Sequence, residues 1–131
     1  MGEDLTLPGG VRVTIALDGA ATGGALTQLI DRPPVGWSLP PHLHRNESET
    51  IHVVAGRFEL FVDGERHELG PGDSAHVPAG TVHSGGNIGD EEGQRVVVFS
   101  PAGIEGWFRE ASADPARAGE LAAQYGWEFP G

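Results

Sequence analysis

Two imidazoles two residues apart, His42 and His44, are followed by a carboxylate at Glu49 and, much later, by a third imidazole at His83. In an extended chain, side chains two apart share a face, so His42 and His44 point the same way. Glu49 is close enough in sequence to fold back toward them, and His83 arrives from a different hairpin. Three neutral imidazoles and one carboxylate are a borderline donor set, suited to one divalent Fe(II), Mn(II), Co(II), Ni(II), Cu(II) or Zn(II) ion. On a six-coordinate ion, four protein ligands leave two positions for water, O₂ or a substrate. Spacing alone leaves a plainer alternative open, because a His-x-His pair also arises on the polar face of an ordinary strand. Glu47 competes with Glu49 for the carboxylate position.

The elements that must position these groups read as strands. Residues 11–17 (VRVTIAL) and 25–31 (ALTQLID) are strand-like, separated by Asp18-Gly19 and Gly23-Gly24. Pro33, Pro34, Gly36, Pro40 and Pro41 make the approach to His42 extended and turn-rich. Further strands are expected at 50–54, 57–62, 65–69, 74–77 and 95–100. Asp63-Gly64 between two alternating runs is the strongest hairpin signal in the chain. After Pro101 the pattern changes. Ile104, Trp107 and Phe108 fall at helical spacing, and Asp114-Pro115 reads as an N-cap opening a helix over 115–125 that Gly126 ends. Short strands with turn signals between them predict an all-β barrel or sandwich, with two short C-terminal helices packed outside it.

The chain has 131 residues, enough for one core and too few for two. Its 21 Gly and 10 Pro are spread along the chain, so they read as turns and not as low complexity. A net charge of −11, with every basic residue a scattered Arg, excludes a nucleic-acid-binding face. Having no Cys removes disulfides, thiolate metal ligands and Cys nucleophiles. Met1-Gly2-Glu3-Asp4 shows no signal-peptide pattern, and no apolar run approaches a membrane span, so a cytoplasmic protein without membrane contact is expected. Neither a G-x-S-x-G elbow nor a phosphate-binding glycine loop is present.

Two longer patterns resemble the cupin family. The first runs Gly36, five residues, His42-x-His44, four residues, Glu49, six residues, Gly56. The second runs Gly72, five residues, Pro78-x-Gly80, two residues, His83, three residues, Asn87. Every spacing of both family motifs is met, with the Asp63-Gly64 hairpin between them. The resemblance covers about residues 25–101. It implies a double-stranded β-helix (jelly-roll, cupin) barrel at about 11–101, with a helical segment at about 102–131, in a single domain over 1–131. It also implies His42, His44, Glu49 and His83 as the metal ligands. Glu49 keeps the six-residue spacing to Gly56, which leaves Glu47 to the loop surface. Gly56 and Gly72 then allow sharp turns, Pro78-Ala79-Gly80 returns the chain so that His83 re-enters the barrel, and Asn87 satisfies backbone groups in a turn.

Residues 100–109 and the later LAAQYGWEF resemble the tail of small bacterial cupins related to quercetin dioxygenases. That resemblance implies a metal-dependent dioxygenase-type oxidoreductase for a small, aromatic or enolic substrate, with Glu49 doubling as a proton acceptor. The alternatives are a non-redox isomerase, cyclase, decarboxylase or lyase using the same ion, and a cupin that binds a small ligand without turning it over. Dimers are common in the family, so a homodimer is expected, with the strand at 11–17 adding to a partner's sheet. His52 falls on the opposite strand face from Glu49, His67 sits in an exposed hairpin arm, and His76 lies in the strand before Pro78 with its direction left open, a buried, hydrogen-bonded side chain being the plainer alternative. Trp37, Phe58, Phe61 and Phe99 are expected as core first and pocket lining second; Trp107 and Phe108 are expected to pack the helix on the barrel.

Overall fold

Period-two alternation governs the central strands. In the computed structural model, which describes residues 2–130, Thr27, Leu29 and Asp31 are buried along β3 (Thr27–Arg32) while Gln28, Ile30 and Arg32 face outward. Arg95, Val97 and Phe99 are buried along β10 (Gln94–Ser100), and Glu49, Ile51 and Val53 along β5 (Ser48–Ala55). Burying one Val, Leu or Ile on such a face stabilises by roughly 1.5–3 kcal/mol relative to leaving it exposed. Met1 and Gly131, the two ends of the expected domain range, lie outside the described residues.

The remaining strands are β1 (Glu3–Thr6), β2 (Arg12–Leu17), β4 (Ser38–His44), β6 (Phe58–Val62), β7 (Glu65–Leu69), β8 (Ser74–Val77), β9 (His83–Asn87) and β11 (Trp127–Glu128). They form two antiparallel sheets, ordered β1-β2-β3-β10-β5-β8 and β11-β4-β9-β6-β7. This is the expected jelly-roll, with a core drawn from both sheets that includes Val13, Leu29, Val53, Phe58 and Leu60. Asp63 (φ 51°) and Gly64 (φ 83°) both turn through the left-handed region, the geometry of a tight turn that pairs Val62 with Glu65. Gly56 and Gly72 also take positive φ at strand ends.

Several elements depart from the expected pattern, among them β9, which no expected strand covers. β1 pairs with β2 (Glu3 opposite Ile15), so β2 is an interior strand of the larger sheet and β1 occupies the edge expected for 11–17. Residues Gly19–Thr22, expected as a turn, form one helical turn, α1, whose N-cap Asp18 accepts from Ala21 N at 3.0 Å. Two residues after the last helix, Trp127 and Glu128, pair with His44 and Leu43 of β4.

The C-terminal helices are α2 (Glu105–Ala113) and α3 (Ala118–Gln124), joined by a 3₁₀ turn at Pro115–Arg117. Pro115 opens that turn as expected, but the Asp114 side chain makes no capping bond. Rather than lying wholly outside, α2 buries Phe108 and Ala111, next to a buried Ile104. Glu105 ties it down: its carboxylate accepts from Gly19 N (2.6 Å), Gly103 N (2.6 Å) and Thr27 Oγ1 (2.7 Å). Burial alone would raise this carboxyl, but the bonds from Thr27 and the backbone outweigh it and hold it below the ordinary range. Among the described residues no helix is long and apolar enough to cross a membrane.

Candidate metal centre

At the end of β4 alternate residues turn inward, and these are His42 and His44, each 3% exposed. β9 runs antiparallel beside it with His83 (4% exposed) directly opposite His42. Pro40 and Pro41 lack backbone N–H groups, and the β4–β9 register shifts between Leu39 and His42. The Pro40 carbonyl instead accepts from His42 Nδ1 at 2.8 Å. Thr81 O accepts likewise from His83 Nδ1 at 3.0 Å. A carbonyl cannot donate, so both Nδ1 atoms carry the proton and both Nε2 atoms remain for another partner. One ligand atom from each of His42, His44 and His83 can be chosen so that all lie within 4.8 Å of one another, an arrangement that could hold a metal ion.

Glu49 comes from the facing sheet. Its Oε1 lies 3.1 Å from His83 Nε2 and 3.4 Å from His44 Nε2, so the four side chains singled out from the sequence meet across the two sheets. Burial alone would raise the Glu49 carboxyl, but hydrogen bonds from His44 and His83 hold it far below the ordinary range. His83 is held above its usual value because that same carboxylate outweighs the cost of burial. His42 is pushed down to about 4, first by burial and then by the other two imidazoles, and is neutral near pH 7. His42 is thus neutral and Glu49 ionised, as a divalent ion requires, and an ion entering the cluster would take the place of the proton that His83 Nε2 shares with Glu49.

Glu47 is a correction. Arg45 and Asn46 are exposed in the β4–β5 turn, but Glu47 folds inward and is 4% exposed. Its Oε1 lies 3.7 Å from His44 Nδ1, and both atoms are enclosed without a hydrogen-bond partner. Burial, then the charges of Glu49 and Glu105, push its carboxyl up to about 7. It lies beside the Nδ1 edge of His44, whereas Glu49 lies beside its Nε2 edge.

The other three histidines fall elsewhere. His52 is exposed, as its strand parity requires, with Nδ1 2.7 Å from Ser74 Oγ. His67 is half-buried on β7. His76, whose direction the sequence leaves open, is exposed because it shares the outer face of β8 and meets Thr50 Oγ1 at 3.0 Å. Asn87 performs its expected turn role, donating to Pro33 O and Glu91 O and accepting from Gly89 N.

A cavity of about 230 Å³ opens beside the cluster, with His42, His44 and Glu49 on its wall. Trp37 and Phe99, expected first as core, line it, whereas Phe58 is core and Phe61 is half-buried away from it. Trp107 and Phe108 both pack the helix and wall the cavity. Trp127 also lines it; its ring stacks on His42 at 5.2 Å and meets His44 edge-on at 4.4 Å, and its Nε1 is enclosed without an acceptor. Sequence reasoning overlooked Trp127, and it also overlooked Asp31 and Arg95, the remaining charged residues of the wall. Period two would have found the charged pair, because each is a charged residue in register with the apolar positions of its strand, Leu29 in one and Val97 and Phe99 in the other.

The cupin domain model matches residues 29–99. Quercetin 2,3-dioxygenase of Bacillus subtilis is 39% identical over 71 residues, covering 54% of this chain and 21% of that protein. Polyketide synthase CurC of Streptomyces cyaneus is 36% identical over 81 residues, covering 62% of this chain and 51% of that protein. The chain therefore matches about a fifth and about half of these relatives' lengths. The structure of KdgF from Halomonas sp. shares the fold, with a TM-score of 0.70 at 23% identity over 79% of this chain and 89% of that one. With more than half of its length inside the domain match, and the histidine-bearing strands at the centre of it, the chain belongs to the cupin family.

Proposed function

We propose that His42, His44, Glu49 and His83 hold one divalent transition-metal ion, and that the chain is a metal-dependent enzyme of dioxygenase type acting on a small organic substrate. One observation carries this reading: a buried His₃Glu cluster, with two of its imidazoles fixed in tautomer by backbone carbonyls, sits on the wall of a largely apolar cavity. At about 230 Å³ that cavity suits a small molecule. Similarity to a quercetin 2,3-dioxygenase supports oxygenation over other cupin chemistries. When bound, the ion supplies Lewis-acid polarisation of a substrate oxygen and, if redox-active, an electron route to O₂.

The chain's own residues position and protect. Glu49 Oε1, shared between His44 and His83, could accept a proton from a substrate hydroxyl once it loosens from the cluster that holds it ionised. Leu39, Val97, Phe99, Trp107 and Phe108 exclude water, which strengthens every electrostatic interaction inside. Because the wall draws on residues from Leu7 to Trp127, we place the whole chain 1–131 in one working domain. We also place a homodimer contact at β1, the strand at the end of the larger sheet; light scattering that returns a monomer mass removes this contact.

Anaerobic turnover tests the central reading. With a substrate found by screening small phenols and enolisable ketones, activity should stop when O₂ is removed; undiminished turnover eliminates the dioxygenase version. The match to polyketide synthase CurC, longer than that to the dioxygenase, favours a second reading, in which the same ion polarises a carbonyl for a non-redox isomerisation, cyclisation or decarboxylation. Full activity with Zn(II) replacing every other metal would select it.

A further inference from the structure

The cavity has a second polar end. Arg95 on β10 lies directly opposite Asp31 on β3, and both line the wall. Arg95 Nε donates to Asp31 Oδ1 at 3.0 Å and Nη2 donates to Oδ2 at 2.7 Å, a two-pronged pair in which both side chains are about nine-tenths buried. The Arg95 guanidinium carbon lies 4.9 Å from the centre of the Trp37 ring and 5.1 Å from that of Phe58. Its position is thus set by one carboxylate and two aromatic rings.

That pairing leaves Nη1 over. A guanidinium has five N–H donors, and Asp31 engages only Nε and Nη2. Among the described residues none accepts from Nη1. Nor is Nη1 one of the fully enclosed, partnerless polar atoms, which are His44 Nδ1, Glu47 Oε1 and Trp127 Nε1. Being neither bonded nor fully enclosed, it keeps some accessible surface, and Arg95 is one of the residues that line the cavity. A pair serving only to join two strands needs no such open edge, and a buried ion pair is on average no more stabilising than apolar side chains of equal volume.

Register places the two polar ends apart. Phe99 pairs with Glu49, and Arg95 is four residues along the same strand. At about 3.3 Å per residue the backbone separation is roughly 13 Å. Between them the inner face of β10 presents Val97 and Phe99, and that of β3 presents Leu29. A molecule filling this space has one polar group at the cluster, an apolar middle and an acidic group at Arg95.

Resting on the reading of this cavity as the substrate site, we propose that Arg95 is a substrate-binding residue whose free Nη1 edge takes the carboxylate of a small, largely apolar acid. Asp31 is its positioning residue: it fixes the fork and keeps the pair neutral before substrate arrives. An Arg edge held in a low-dielectric wall favours a carboxylate over its neutral isostere, because the neutral form forgoes the charge-assisted bond.

The test is equilibrium titration of the full chain with benzoate and with benzamide, followed by Trp fluorescence and calorimetry, in chelator-stripped and Zn(II)-loaded protein. Benzoate should bind about tenfold or more tightly than benzamide in the stripped protein. R95Q alone strands Asp31 as an unpaired buried carboxylate, so the informative variant is R95Q/D31N, which removes both charges. That variant should bring the benzoate-to-benzamide ratio to about one, whereas loss of a merely structural pair would shift the melting temperature and leave the ratio unchanged. Equal affinity of the stripped wild type for both probes overturns the assignment, as does a preference that survives in R95Q/D31N. Failure of Zn(II) to bind while the stripped protein keeps its Arg95-dependent preference would defeat the metal reading and uphold this one.

Discussion

Of the six histidines, five divide cleanly by the strand face they occupy. His42, His44 and His83 lie on the inner faces of β4 and β9, almost fully buried, and Glu49 reaches two of them from the opposite sheet. His52 and His76 lie on the outer faces of β5 and β8, exposed, each beside a hydroxyl. A hydroxyl can donate or accept, so it leaves the ring tautomer free. The Pro40 and Thr81 carbonyls can only accept, so they fix it. Residue type is therefore the smaller part of what makes a ligand. Strand parity and the partner on the far nitrogen do the rest.

The largest effect should follow from removing an inner imidazole. H42A or H83A is expected to lower metal retention by about 100-fold or more, read by elemental analysis after dialysis, because each deletes a ligand proposed for the cluster. A variant that retains one equivalent of metal breaks the distinction between inner and outer histidines.

Carboxylates show the same contrast, and Glu105 tests it through stability. E105Q removes the charge that accepts from Gly19 N, Gly103 N and Thr27 Oγ1, and should cost about 2–3 kcal/mol in urea unfolding. Because the folded pKa of Glu105 is depressed, its contribution is complete above the ordinary carboxylate range and is lost as pH falls through the folded value. The wild type should therefore lose its advantage over E105Q on acidification. A gap that stays constant between pH 7 and pH 3 contradicts the assignment.

Glu47 should have a smaller effect on the metal than a ligand does. E47Q is expected to weaken metal affinity about tenfold with the melting temperature nearly unchanged, since Glu47 acts on His44 from behind. An effect as large as that of H83A would make Glu47 a ligand and displace Glu49. The smallest effect belongs to the outer set: H52A and H76A should change metal content not at all and stability by less than about 0.5 kcal/mol.

The contrast also marks what was legible in the sequence. Spacing two in β4 announced that His42 and His44 share a face, and the same rule sent His52 outward. Asp63-Gly64 announced its hairpin because turn chemistry is local. Glu47 was misplaced because its burial depends on how a three-residue turn folds beneath His44, which no periodicity encodes. Trp127 was overlooked because its role comes from pairing with His44, more than eighty residues away in sequence. β1 was overlooked for a similar reason: three of its four side chains are exposed, and only its pairing with β2 makes it a strand. Asp31 and Arg95 were legible, since each sits in register with the inward apolar positions of its strand, where a lone charge has no bland explanation.

Elemental analysis of untagged wild-type protein decides whether His42, His44, Glu49 and His83 hold an ion. It should return about one equivalent of a divalent transition metal, retained on dialysis or restored to that level by reloading after chelation, and lost in H83A. Protein that carries no transition metal and takes none up on reloading would contradict the proposed site.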